Sequence, residues 1–330
     1  VAYQTAVGCK SYLYAAIQAA RGTPIRAGAI FDRHEIIEMS VEPVIASITD
    51  PSLHSGISDR AIYSGGVSWK GSLKVRANYA GLGQSKLLGA VLGSYTAADP
   101  NSIVEAADSA TSYWTLLYSR GLVESTPLFE ELSDVRFTGF TFSCEAGTGA
   151  GAMGTYEFEF IGGTFASGVA VPTGTPPDAP AAVPVLFHQA VIASWCNGIT
   201  AAATPIVIRP KSVKISYKVP MDPNNFYMTT QSPDAPMRTG TNSCEWEFTE
   251  VLANITNITA AKTGAVNAQP LVVKFLTNTT QYVQFTSTAA RITKYTGPIN
   301  SYGNLIETIG WKSYYHATDG GCLKILTEQT

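Results

Sequence analysis

The stretch Gly65-Gly-Val-Ser-Trp-Lys-Gly-Ser-Leu-Lys-Val-Arg76 decides the fold class. Val67, Trp69, Leu73 and Val75 share one parity, while Ser68, Lys70, Ser72, Lys74 and Arg76 take the other. In an extended chain successive side chains point to opposite faces, so the segment predicts a strand with one buried and one wet side. The pattern recurs further on. Val213, Ile215, Tyr217 and Val219 alternate with Ser212, Lys214, Ser216 and Lys218. Cys244, Trp246 and Phe248 alternate with Glu245, Glu247 and Thr249, and Tyr156, Phe158 and Phe160 with Glu157 and Glu159. More strands are expected at 135–144, 271–276, 282–287, 291–295 and 305–315, punctuated by Gly, Pro and Asn clusters.

One helix reads well. In Ser85-Lys-Leu-Leu-Gly-Ala-Val-Leu-Gly93, the side chains of Leu87, Leu88, Val91 and Leu92 gather on one face. Ser85 is expected to cap its start and Gly93 to take the left-handed position at its end. So short a helix is marginal alone and must dock on a sheet. The expected fold is mainly β with a short flanking helix, and Leu88, Val91, Trp69 and Trp246 are its core anchors.

The segment Val171-Pro-Thr-Gly-Thr-Pro-Pro-Asp-Ala-Pro-Ala-Ala-Val-Pro184 predicts an extended linker, since proline opposes both helix and sheet pairing. It divides the chain into a first β domain (1–170), a linker (171–184) and a second β domain (185–330). The halves echo each other. Arg60 precedes Gly65 and the Trp69 strand, as Arg238 precedes Gly240 and the Trp246 strand, which suggests an internal duplication aligned on the tryptophans.

Composition narrows the function. Of 330 residues, 14% are charged and 45% hydrophobic, against roughly 25% charged in an ordinary soluble protein. Disorder is excluded, because it needs low hydrophobicity and high charge. So few charges suit a surface largely covered in an assembly. With 22 basic and 25 acidic residues, the chain lacks the basic excess of a dedicated nucleic-acid binder. No apolar run approaches the roughly 20 residues of a spanning helix, so no membrane role is expected.

Catalytic signatures are weak. Gly149-Ala-Gly-Ala-Met-Gly154 fits a dinucleotide fingerprint in spacing, but strand periodicity follows where a helix must hold the pyrophosphate. His34-Glu-Ile-Ile-Glu38 has Glu38 where a zincin needs its second histidine. Neither a phosphate-binding G-x-x-x-x-G-K-[ST] loop nor a G-x-S-x-G elbow occurs. The expectation is a protein that is not an enzyme, with no cofactor and no metal. The five cysteines, Cys9, Cys144, Cys196, Cys244 and Cys322, are scattered without a C-x-x-C, as suits reduced, buried thiols; a single pair is the alternative. The sequons at Asn254, Asn257 and Asn278 arise readily in an Asn/Thr-rich β protein; glycosylation there would mark an extracellular one.

Charge is patterned by strand. Lys70, Lys74, Lys214 and Lys218 occupy basic faces, and Glu157, Glu159, Glu245 and Glu247 acidic ones. Two compatible readings follow: cross-strand partners, each pair worth roughly 0.2–1 kcal/mol, and a mixed-sign lining that lets DNA pass without gripping its phosphates.

Several of these features together resemble a known family. Tyr12-Leu-Tyr-Ala-Ala-Ile-Gln-Ala-Ala-Arg-Gly-Thr-Pro24 leads into an irregular stretch, Ser40–Gly66, holding Pro43, Pro51, Asp59 and Arg60. Then come the strand Val67–Arg76, the Gly81-Leu82 turn and the helix Ser85–Leu92. This succession is similar to the first half of the tail tube proteins (major tail proteins) of long-tailed bacteriophages. The second half matches less specifically: strand Ser212–Val219, loop Pro220–Asn242, strand Ser243–Val251 and further strands to Trp311.

The resemblance implies two tandem β-sandwich or partial-barrel domains whose sheets join between subunits into a tube. Three two-domain chains would make a ring, and rings would stack into a conduit for DNA. Ser40–Gly66 and Pro220–Asn242 would reach the adjacent ring, with Asp59, Arg60, Asp234 and Arg238 making contacts. Other implied partners are the tape measure, tail tip and tail terminator proteins, with transient, non-specific contact to DNA. The implied location is the virion tail, assembled in the bacterial host cytoplasm. The rival readings are an extracellular β-sandwich binding or adhesion protein and the tube protein of a contractile injection device.

Overall fold

Alternation of the kind just read becomes strands throughout the computed structural model. It describes residues 12–26, 31–49, 62–79, 82–98, 100, 101–106, 112–123, 126–147, 152–170, 183–196, 205–207, 210–222, 236–251, 269–277, 281–297, 306–317 and 319–328. The first half carries β1 (Tyr12–Ile17), β2 (Asp32–His34), β3 (Ile36–Thr49), β4 (Ile62–Arg76), helix α1 (Leu82–Leu92), β5 (Gly93–Thr96) and β6 (Asn101–Glu105). It continues with β7 (Trp114–Val123), β8 (Thr126–Glu145), β9 (Thr155–Gly162) and β10 (Thr164–Val169). The second half carries β11 (Ala190–Cys196), β12 (Pro205–Val207), β13 (Pro210–Lys218), β14 (Met221–Asp222), β15 (Met237–Arg238) and β16 (Ser243–Val251). It ends with β17 (Gln269–Leu276), β18 (Tyr282–Thr296), β19 (Ile306–Ser313) and β20 (Lys324–Glu328). No helix among the described residues is long and apolar enough to cross a membrane.

Eighteen of these strands form one antiparallel hydrogen-bonded network. It folds into layers because two long strands belong to both. The first part of the 20-residue β8 pairs with β7 and β10, and its last part with β9 and β13. Asp134, with φ 56°, sits where the β7–β8 register slips, and a second slip falls at Thr138. Extra residues of this kind bend a strand. In the same way β18 pairs first with β17 and β20, then with β19.

One layer is therefore the wide sheet β3-β4-β9-β8-β13-β16-β19-β18. Its inner face packs on the other strands: Phe137 meets Trp114 edge-on at 5.8 Å, and Phe142 lies 5.3 Å from Phe275 and 4.9 Å from Phe285. Most buried apolar side chains of both halves make one continuous cluster, and Tyr14, Ala16, Phe31, Leu117 and Phe129 make a second, smaller one. Each fully buried large apolar side chain contributes about 1.5–3 kcal/mol, so the larger cluster outweighs any surface ion pairing.

The pairings of the first half are repeated in the second. β1 pairs with β2 and β7, as β11 does with β12 and β17. The succession β7–β8–β9–β4–β3 is matched by β17–β18–β19–β16–β13, and β8–β10 by β18–β20. The irregularities correspond too. The slip opposite Trp114 and Leu116 recurs opposite Gln269 and Leu271, the one at Thr138 recurs at Thr293, and the one at Ile37 recurs at Lys211.

These slips correct the tryptophan alignment expected from sequence. Through them Trp69 corresponds to Cys244 and Trp246 to Gly71, a shift of two residues. Alternation survives any even shift, so it could not set this register.

Other expectations also change. Helix α1 begins at Leu82, so Ser85 lies within it rather than capping it. Ser85 is buried, and its hydroxyl lies 3.0 Å from that of Thr327 on β20. Gly93 does end the helix, with φ 101°. Ser40–Gly66 is not an irregular stretch at its ends: Ser40–Thr49 belongs to β3 and Ile62–Gly66 to β4. Pro43 misled, because proline opposes a central strand but is accepted on an edge strand such as β3. Ser68, expected on the wet face, is buried. Of the core anchors, Trp246, Leu88 and Val91 are buried; Trp69 is half-buried and stacks on Phe165 at 4.4 Å. The separate strands expected at 282–287 and 291–295 are one strand, β18.

Residues 171–182 of the proline-rich segment lie outside the described residues, but its end is anchored. Tyr79 donates its backbone N–H to Val183 at 3.0 Å and Val185 donates to Ala77 at 2.9 Å, with Val185 fully buried. Val183–Val185 thus packs on the first half.

Candidate functional site: a mixed-charge sheet face with two open edges

The outer face of the wide sheet gathers the charged strand residues singled out in the sequence. Residues opposite one another in a ladder share a face, so register alone assembles it. One row runs Glu38, Lys74, Glu157, Thr141, Ser216, Glu245, Lys312, Arg291. Another runs Arg76, Thr155, Ser143, Lys214, Glu247, Gly310, Lys294. Lys74 stands directly opposite Glu157, and Lys214 opposite Glu247.

The ion pairs cross the sheet in a less local way. Lys218 lies 3.4 Å from Glu159 and Lys294 lies 3.6 Å from Glu247. In each case a glycine, Gly139 or Gly310, stands on the strand between them. With no side chain there, the lysine can lie across the intervening strand. Lys70 pairs with Glu42 at 3.6 Å, and Arg76 with Glu35 at 2.9 Å. These groups are substantially exposed, so each pair is worth at most about 1 kcal/mol. Their effect is to interleave both signs over the whole face. Lys70, Lys74, Lys214, Lys218, Glu245 and Glu247 are thus brought together on one surface. The sequence reading missed Glu42, assigned to an irregular stretch, and Glu38, noted only at the end of the zincin-like His34–Glu38 spacing; it also missed the bridging glycines, whose signal was a glycine inside an alternating strand.

The loop residues fare differently. Asp59, Arg60 and Asp234 lie outside the described residues, as do Asn254, Asn257 and Asn278. Arg238 is exposed on β15, opposite Met221, and its Nε–H donates to the Gly240 carbonyl at 2.9 Å. Pro220–Asn242 therefore leaves the sheet through the short β14–β15 ladder.

Both ends of the wide sheet are open among the described residues. β3 pairs with β4 alone, and the last part of β18 with β19 alone. Ile37 and Ile45 on β3 are 56% and 61% exposed. Open edges with exposed apolar side chains invite another strand.

The chemistry of the buried groups is quiet. Burial pushes the Cys144 thiol up to about 11 and holds His34 down to about 4, leaving one protonated and the other neutral near pH 7. Cys144, Cys244 and Cys322 are free thiols. His34–Glu38 spans β2 and β3 rather than a helix. Among the described residues no group of His, Cys, Asp or Glu could hold a metal ion. No protein-family model matches the chain, and no curated protein matches it.

Proposed function

We propose that the chain is a structural subunit of a long-tailed bacteriophage: a tail tube protein that polymerises as stacked rings into a hollow conduit for DNA. The observation that carries this reading is the wide sheet open at both edges, built from a repeated set of strands. A sheet closed head to tail through copies of itself loses its edges. Three copies, each contributing two repeats, would complete a pseudo-sixfold ring. The interleaved charges of the outer face would line the lumen. Alternating signs offer phosphates no continuous cationic track, so DNA slides rather than binds. Tape measure, tail tip and tail terminator proteins would complete the assembly, which forms in the host cytoplasm and ends in the virion.

Negative-stain electron microscopy of the concentrated protein at neutral pH, with and without reductant, tests the reading. Hollow tubes or ring stacks are expected. Dispersed monomers under every condition, and also when tail initiation proteins are supplied, would overturn it.

A further inference from the structure

The chain contains, within itself, a junction between its two repeats. The last part of β8 pairs with β13, with Lys218 opposite Gly139, Tyr217 opposite Phe140 and Ser216 opposite Thr141. Beside them the Val219 N–H donates to the Thr138 carbonyl at 2.7 Å. The matched slips make β18 the counterpart of β8 and β3 the counterpart of β13. These counterparts are the two open edges.

We infer that the outer edge of β18 in one copy pairs antiparallel with the outer edge of β3 in the next, in the register of the internal junction. Residue by residue, Lys294 stands opposite Val44, Tyr295 opposite Pro43 and Thr296 opposite Glu42 of the neighbouring copy. The Ile45 N–H donates to the neighbour's Thr293 carbonyl.

Burial supports this assignment. Val219, at the internal junction, is 1% exposed, and its counterpart Ile45 is 61% exposed. Phe137 and Phe140 are buried, whereas their counterparts Ile292 and Tyr295 are half-buried. Each open-edge residue lacks the cover that its counterpart has. Pro43 fits as well: it stands where Tyr217 stands in the internal junction, on an edge where a missing N–H is tolerated. It costs the new ladder one hydrogen bond and leaves the others. The contact is heterologous, so repetition either closes a ring or runs on without limit.

The inference rests on the tube reading in one respect, that the second edge comes from another copy of this chain. Its test is the double variant Val44→Cys with Lys294→Cys. The equivalent internal pair, Lys218 and Gly139, flanks hydrogen-bonded positions, and such non-hydrogen-bonded pairs lie about 4.5 Å apart at Cα, within disulfide range. Oxidation should give a ladder of covalent multimers on non-reducing gels. Each single variant, and Ser40→Cys with Lys294→Cys, which is out of register by four residues, should match the wild type. Microscopy of the same samples separates the two claims. Rings or tubes without the ladder would overturn the register and leave the tube reading standing. A ladder without rings or tubes, also when tail initiation proteins are supplied, would support the pairing and retire the tube. Monomers without a ladder, also when tail initiation proteins are supplied, would overturn both.

Discussion

Lys218 reaches Glu159 at 3.4 Å across an intervening strand, and the residue it crosses is Gly139. The ion pair and the glycine differ in weight. Lys218 and Glu159 side chains are 59% and 48% exposed, so Lys218→Ala should change stability by less than about 1 kcal/mol. A Cβ on residue 139 would meet the Tyr217 carbonyl oxygen at 2.7 Å, and backbone cannot easily yield. Gly139→Ala should therefore cost about 1–3 kcal/mol. Urea denaturation of the two variants checks the order, and equal effects would refute it.

The two tryptophans should separate in the same assay. Trp246 is buried, and its Nε1–H donates to the Ser313 hydroxyl at 2.8 Å. Trp246→Ala should cost about 3–5 kcal/mol. Half-buried Trp69, stacked on Phe165, should cost about 1–2 kcal/mol when truncated, most of it lost ring contact and area.

Acid should act through His34. Burial lowers its pKa to about 4, below the 6.5 of an ordinary exposed histidine, which stands for the unfolded chain. Between those values the unfolded state binds the proton and the native state does not, so stability rises with pH there. Its contribution is complete above pH 6.5 and is lost as pH falls towards 4, a loss on the order of 3 kcal/mol. His34→Gln should flatten the slope of unfolding free energy between pH 4.5 and 6.5. An unchanged slope would assign the acid sensitivity to other groups.

Ile45→Lys should leave the isolated subunit within about 0.5 kcal/mol of wild type, because the side chain is already largely in water. It should nonetheless abolish rings by placing a charge where the next copy must cover an apolar group. Denaturation and sedimentation together read both effects.

For the loops, Arg238→Glu and Arg60→Glu should each leave a normal thermal transition but shorten tubes by impairing ring stacking. Tubes of wild-type length in both variants would remove these residues from the inter-ring contact.

Alternation by itself determined strands in which it ran unbroken, such as β9, β13 and β16, and which of their residues share one side of the strand. It could do so because a period of two is a local property, readable over a few side chains. The helix end at Gly93 was equally local, since it depends on one residue's freedom at positive φ. Partnership between strands was not local. That β8 meets β13 and β20 meets β6, or that Trp246 answers to Gly71 rather than Trp69, depends on pairings between distant residues. Such contacts leave no trace in periodicity, which is unchanged by an even shift. The burial of Ser68 and Ser85 and the strand conformation of Pro43 were likewise decided by the neighbours that the fold supplied. Tertiary structure alone showed that the sheet, among the described residues, ends in two open edges, because an edge is defined by the partner that it lacks.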